Sequence, residues 1–181
     1  MRAQNTDLLH SMRFHATITG AGGVQYLQKE GQPGAGFSAV STPEATVESV
    51  EYKEGTMIYT RKYPGAPTVS DVTMSRGVAR RDSSFWDWLR VVIEGSGEYR
   101  ATLTIDHFHR DTALPRSFPA AGDQNATNLN LDRPARTYIC SEAFPIRHKV
   151  AADLDATASE ISVMEIDVAY EHFEVVEGQL P

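Results

Sequence analysis

One stretch of this chain reads clearly as an α-helix, and that limits the fold more than any other feature. From Asp82 to Gly95 the residues run Asp-Ser-Ser-Phe-Trp-Asp-Trp-Leu-Arg-Val-Val-Ile-Glu-Gly. Asp82, Ser83 or Ser84 can cap the free amides at the start, and Gly95 suits the left-handed residue that follows a helix end. Phe85, Trp88, Leu89 and Val92 fall at i, i+3, i+4 and i+7, one apolar stripe. Trp86 and Ile93 lie off it. A lone helix against a sheet buries one stripe, and leaving Trp in water forgoes about 25 cal/mol per Å² of apolar area. The pattern therefore predicts that something outside the subunit covers the second face.

The rest of the chain reads as strands and turns. Arg13 to Thr19 alternates with Phe14, Ala16 and Ile18 on one face, and ends in Gly20-Ala21-Gly22-Gly23. Those glycines form a turn, since the lysine and helix of a phosphate-binding loop are missing. Val24 to Gln28 extends or pairs with this strand, and Gly31 to Gly36 is a loop. Phe37 to Ser41 is short and extended. Thr46 to Glu54 is strand-like, with Val50 and Tyr52 opposite in sense to Glu51 and Lys53. Met57 to Tyr63 is extended, Pro64-Gly65-Ala66-Pro67 reads as a turn, and Val69 to Val78 is a strand with Val72, Met74 and Val78 on one side. The connection from Gly55 to Pro67 is expected to project as a hairpin between two anchored strands, offering open backbone edges to another chain.

After the helix, Tyr99, Ala101, Leu103 and Ile105 alternate with Arg100, Thr102, Thr104 and Asp106, as a half-buried antiparallel strand does. Residues 110–137 form a polar insertion, too long for a tight connection. Tyr138 to Phe144 is extended, and Pro145 to Lys149 leads into Val150 to Leu154. The last strand runs from about Glu160 to Val175, with Met164, Ile166, Val168 and Tyr170 on one face. Glu165, Asp167 and Glu171 make its other face acidic. Seven or more strands against one helix predict a mainly β fold, an antiparallel barrel or sandwich with one flanking helix at about 82–94. At 181 residues the expected organisation is an N-terminal arm, 1–12, and a single domain over 13–181.

Chemistry is sparse. A net charge of −7 argues against a general nucleic-acid-binding surface, and Arg76, Arg80 and Arg81 are too few to make a basic stripe. Cys140 is the one cysteine, which excludes an internal disulfide and reads as a buried thiol. His107 and His109 share a strand face and could hold an ion, but no third ligand is identifiable, so hydrogen-bonded or solvated histidines are the reading. Asp153 and Asp155 read as a capped turn rather than an acid–base pair. Asn125-Ala126-Thr127 matches a glycosylation acceptor without a secretion signal to support it. No catalytic residue, cofactor-binding residue or metal ligand is assigned, and no enzyme is expected. With no signal peptide and no run long enough to span a bilayer, the chain is expected to be made in the cytoplasm.

The order of several short motifs resembles the tail-tube proteins of contractile phage tails and related contractile injection particles. They are Gly36-Phe37-Ser38-Ala39-Val40-Ser41, Glu51-Tyr52-Lys53-Glu54-Gly55, Lys62-Tyr63-Pro64-Gly65, Val72-Thr73-Met74-Ser75-Arg76-Gly77-Val78, Phe85-Trp86-Asp87-Trp88 and Glu142-Ala143-Phe144-Pro145. Ala156 to Phe173 completes the set, which spans about residues 14–173. The resemblance implies a β-barrel subunit that forms six-membered rings stacked into a hollow tube inside a contractile sheath. Its partners would be further copies of itself, sheath subunits, baseplate or cap proteins, and DNA or effector cargo that passes without specific binding. It would end up in a virion tail or an injection particle, released or not. The alternatives are a tube-initiating baseplate or tube-capping subunit and, from another class, a monomeric β-barrel binding module. Tyr59, Tyr63, Arg76, Trp86 and Trp88 are the expected subunit contacts, being the aromatic and arginine types that dominate buried interfaces. Glu165, Asp167 and Glu171 are the candidate lumen-facing residues, where they would make a negative channel.

Overall fold

The computed structural model describes residues 9, 11–20, 36–55, 57–78, 83–95, 97–108, 134–152, 154 and 161–177. Along these residues the chain forms β1 (Phe14–Gly20), β2 (Ala39–Val40), β3 (Ala45–Tyr52), β4 (Arg61–Val69) and β5 (Val72–Gly77). Then come α1 (Ser84–Glu94), β6 (Ala101–His107), β7 (Arg136–Lys149), β8 (Val163–Ala169) and β9 (His172–Glu177). All strand pairs are antiparallel, in a mainly β fold with one helix among the described residues. Among the described residues no helix is long and apolar enough to cross a membrane.

The large sheet has the strand order β1-β6-β7-β8-β5-β2, with β9 also paired to β7. Alternation places its core as the sequence implies. Ala16 and Ile18 of β1, Ala101, Leu103 and Ile105 of β6, and Met164, Ile166 and Val168 of β8 are buried, with their neighbours half-buried or exposed. Long β7 organises the rest. Its first half lies between β6 and β9, and its second half pairs with β8. Cys140 faces Phe173 and Phe144 faces Ala169 in one continuous register, so β8 and β9 are two halves of one extended run broken at Tyr170–Glu171. Opposite that break sits Glu142 at φ 56°, the one left-handed non-glycine residue among those described. A residue held there bends the strand, and the Glu171 amide closes the gap by donating to the Ser141 carbonyl at 3.2 Å.

Several sequence expectations change in detail. The expected strand from Val69 to Val78 is two elements, β4 ending at Val69 and β5 starting at Val72, which keep one register against β3 and β2 across the break at Ser70–Asp71. Thr46 to Glu54 is not anchored in the large sheet. With β4 it makes a separate two-stranded sheet, so the projecting arm spans residues 45–69 rather than 55–67. Pro64 to Pro67 lies within β4 instead of turning the chain, since each proline stands where its ring nitrogen owes the partner strand no hydrogen bond. Val150 and Leu154 lie beyond the end of β7. That strand begins at Arg136, inside the expected insertion, while residues 109–133 lie outside the described residues. So do residues 1–8, 24–28, Asp82, Asn125, Asp153 and Asp155.

Candidate assembly surface

The helix divides its two tryptophans cleanly. Phe85 and Trp88 are buried, and the Trp88 Nε1 donates to the Tyr99 carbonyl at 2.8 Å, which satisfies the polar end of the ring inside the core. Phe37 stacks on Phe85 with ring centroids 6.1 Å apart, and His148 meets the same ring edge-on at 5.8 Å. Trp86 is 46% exposed and Ile93 67%. The helix starts at Ser84, with the Ser83 hydroxyl donating to the Asp87 carboxylate at 2.8 Å and the Ser83 carbonyl accepting the Asp87 amide. Gly95 closes it at φ 62°, with its amide on the Val92 carbonyl.

Arg76 is placed where the sequence reading did not put it. It shares the face of Val72 and Met74 on β5 and is only 1% exposed. Its guanidinium lies 3.9 Å from the Phe85 ring centroid, Nη2 donates to the Ser84 hydroxyl at 2.9 Å, and Nε lies 3.5 Å from the Met164 sulfur. A planar cation on an aromatic face is favourable when desolvated. Arg76 thus joins helix to sheet, and both Arg76 and Trp88 lie inside the subunit, which narrows the expected surface to Trp86, Tyr59 and Tyr63. Strand parity carried the signal for Arg76: it stands two residues from Met74 on an inward face.

The arm is exposed over almost its whole length. Ile58 and Tyr59 at its tip are 86% and 82% exposed. Alternation puts Val50 and Tyr52 on one face with Tyr63, which stands directly opposite Val50. The Thr46 and Thr68 hydroxyls share a hydrogen bond at 2.7 Å on that face, and Lys62 pairs with Glu51 at 3.1 Å on the other. An extra residue of β4 bulges between the Val47 and Ser49 pairings. Gly65 belongs to it, and a Cβ there would stand 2.9 Å from the Glu48 carbonyl oxygen and 3.2 Å from a Val50 methyl. Only glycine allows this approach. Isolated two-stranded hairpins are marginal in water, so an arm of this length with exposed Val, Ile and Tyr is built to meet another surface.

The acidic face is charge-compensated. Arg147 of β7 donates to both Asp167 and Glu165, and the Thr73 hydroxyl adds a bond to Asp167 at 2.9 Å. These partners, the Arg147 hydrogen bonds foremost, hold the Asp167 carboxyl below the usual carboxylate range. Glu171 pairs with Arg100, whose guanidinium also lies within 6 Å of the Tyr99 and Phe144 rings. Elsewhere, burial pushes the Cys140 thiol up to about 11. Among the described residues no three His, Cys, Asp or Glu side chains gather as a metal site; His107 ends β6, and His109 lies outside those residues.

Known structures carry this architecture. A chain of the six-fold symmetrised anti-feeding prophage baseplate matches with a TM-score of 0.70 and 17% identity, covering 97% of this chain and 100% of that one. A chain of the sheath-tube complex of PVC, an extracellular contractile injection system, matches at 0.66 and 20% identity, over 96% and 94%. The anti-feeding prophage tube-terminating cap matches at 0.65 and 18% identity, over 98% and 99%. At such identities the likeness is one of fold. No curated protein sequence matches the chain. The family described as T4-like virus tail tube protein gp19 matches over residues 10–174, from before β1 into β9, and the chain with its bent β7, flanking helix and free-standing arm belongs to that tail tube family.

Proposed function

We propose that this protein is an inner-tube subunit of a phage-type contractile tail or contractile injection particle. Six copies close a ring, and rings stack into a hollow conduit for DNA or effector cargo. The role is mechanical: the tube is rigid, advances when the surrounding sheath shortens, and catalyses no reaction. Its partners are its own copies, sheath subunits and baseplate or cap proteins, and it resides in the assembled particle.

The observation that carries this reading, beside the family, is the free-standing arm of residues 45–69. A monomeric binding module has no use for a hairpin whose Val47, Val50, Tyr52, Tyr59 and Tyr63 all face water. Tyr59 and Tyr63 on the arm and Trp86 on the helix are the side chains assigned to subunit contacts. Glu165, Asp167 and Glu171 are assigned to the lumen. With Arg147 and Arg100 on them that wall is weakly rather than strongly negative, suited to cargo that must neither stick nor be expelled.

A second reading keeps the fold but not propagation: a tube-initiating or tube-capping subunit. It is favoured by the matches to chains of a baseplate and of a tube-terminating cap. Negative-stain electron microscopy with native mass over a concentration series separates the readings. Rings that stack into tubes support the repeating subunit, and isolated rings support the terminal one. A monomer at every concentration overturns self-assembly.

A further inference from the structure

The two edges of the arm differ in what they offer another strand. The Ser70 amide donates to the Glu44 carbonyl at 3.0 Å, so this pair at the arm's base is hydrogen-bonded. Antiparallel pairs alternate, so Ala45–Val69 is not hydrogen-bonded, Thr46–Thr68 is, and Val47–Pro67 is not. Residues of a non-hydrogen-bonded pair turn their amide and carbonyl groups outward, so the Pro67 nitrogen lies on the outer edge. Pro64 stands opposite Ser49 beyond the bulge and has no amide hydrogen to exchange, so its nitrogen faces outward too, and Glu51–Lys62 follows in the same sense. The outward positions of β4 are Lys62, Pro64, Pro67 and Val69, and two of them have no donor. Those of β3 are Ala45, Val47, Ser49 and Glu51, and each keeps its donor.

We propose that the arm is extended by strand addition from another copy of this chain at the β3 edge, and that Pro64 and Pro67 close the β4 edge to it. The inference rests on the tube-subunit reading. Charge selects the occupant. β3 and its flanks carry Glu44, Glu48, Glu51 and Glu54 against Lys53, so two β3 edges brought together would repel across the pair. β9 brings Glu174 and Glu177 and fits no better. β1 stands at the end of the large sheet among the described residues, contains no carboxylate, and has Arg13 beside it and His15 within it. The contact therefore joins unlike edges, which makes it head-to-tail, the geometry that closes rings or propagates along an axis.

Ser49→Pro tests the inference against Lys62→Pro. Both positions point outward, so neither substitution removes a hydrogen bond within the arm. Assembly is read by negative-stain microscopy and native mass, with far-UV circular dichroism and Tm reporting the subunit fold. Ser49→Pro is expected to need about tenfold or more higher concentration to assemble, because one amide is lost and the facing carbonyl is left unpaired. Lys62→Pro is expected to assemble as the parent does. Val47→Pro repeats the test one pair along if Ser49→Pro fails to fold. Normal assembly of both β3 variants, or equal loss in Lys62→Pro, overturns the edge assignment and leaves the tube reading standing. A parent protein that stays monomeric at all concentrations overturns both.

Discussion

Trp86 and Trp88 separate subunit stability from assembly, because two residues of helix carry one ring inward and the other outward. Trp88 is fully buried and bonds Tyr99, so Trp88→Ala removes a large side chain and strands a polar partner. Such truncations cost about 3–5 kcal/mol. For a domain of this length each kcal/mol moves Tm by about 2–4 °C, so the expected loss is roughly 6–20 °C. Trp86 is 46% exposed. If about 220 Å² is taken for the full side chain, roughly 100 Å² of it faces water, and covering that area is worth up to about 2.5 kcal/mol per contact. Trp86→Ala should therefore move the concentration for assembly upward by as much as about 70-fold. Its effect on Tm should stay within about 2 °C, as for surface substitutions generally. Differential scanning calorimetry at a concentration where the parent is unassembled reads the first quantity, and native mass titration reads the second. Equal Tm losses in the two variants would refute the division of the helix into a core face and an assembly face. An unchanged Trp86→Ala assembly curve would remove the helix from the interface.

Gly65→Ala should distort the arm alone: its Cβ meets the Glu48 carbonyl, so assembly weakens while the Tm of the unassembled subunit stays put, as calorimetry and native mass together will show. The Cys140 thiol, buried and raised to about 11, should react with a thiol reagent at neutral pH only after unfolding; labelling of the native protein at the rate of a free thiol would contradict its burial. Asp167 is depressed in the folded state, so the stability it contributes is present above the unfolded carboxylate value and is lost as pH falls through the folded one. Asp167→Asn should accordingly be less stable than the parent at neutral pH, with a shallower decline below about pH 4, measured by denaturant titration across pH. Arg76→Leu should lower subunit Tm without any specific effect on assembly, because its guanidinium lies under the helix on Phe85 rather than at the surface.

Much of the fold was legible from local pattern. Alternation placed the inward faces of β1, β6 and β8, and the helix stripe of Phe85, Trp88, Leu89 and Val92 contains both helix residues that the core buries, Phe85 and Trp88, because both signals depend only on which way successive side chains point. Residue type alone, by contrast, had offered Trp88 as a subunit contact. The same parity would have put Arg76 inward with Val72 and Met74, but a charged residue is assumed exposed until a partner is visible, and Phe85, Ser84 and Met164 come from other elements. Tertiary structure alone decided three things. It set the strand from Thr46 apart from the large sheet, which depends on pairing between distant segments. It placed prolines inside β4, where their nitrogens happen to face outward. It also laid Arg147 and Arg100 over the carboxylates of residues 165, 167 and 171, turning a sequence that reads as an acidic face into a nearly balanced one. Which way a side chain faces is written in a few neighbouring residues, whereas which strand lies beside it is settled by contacts across the whole chain.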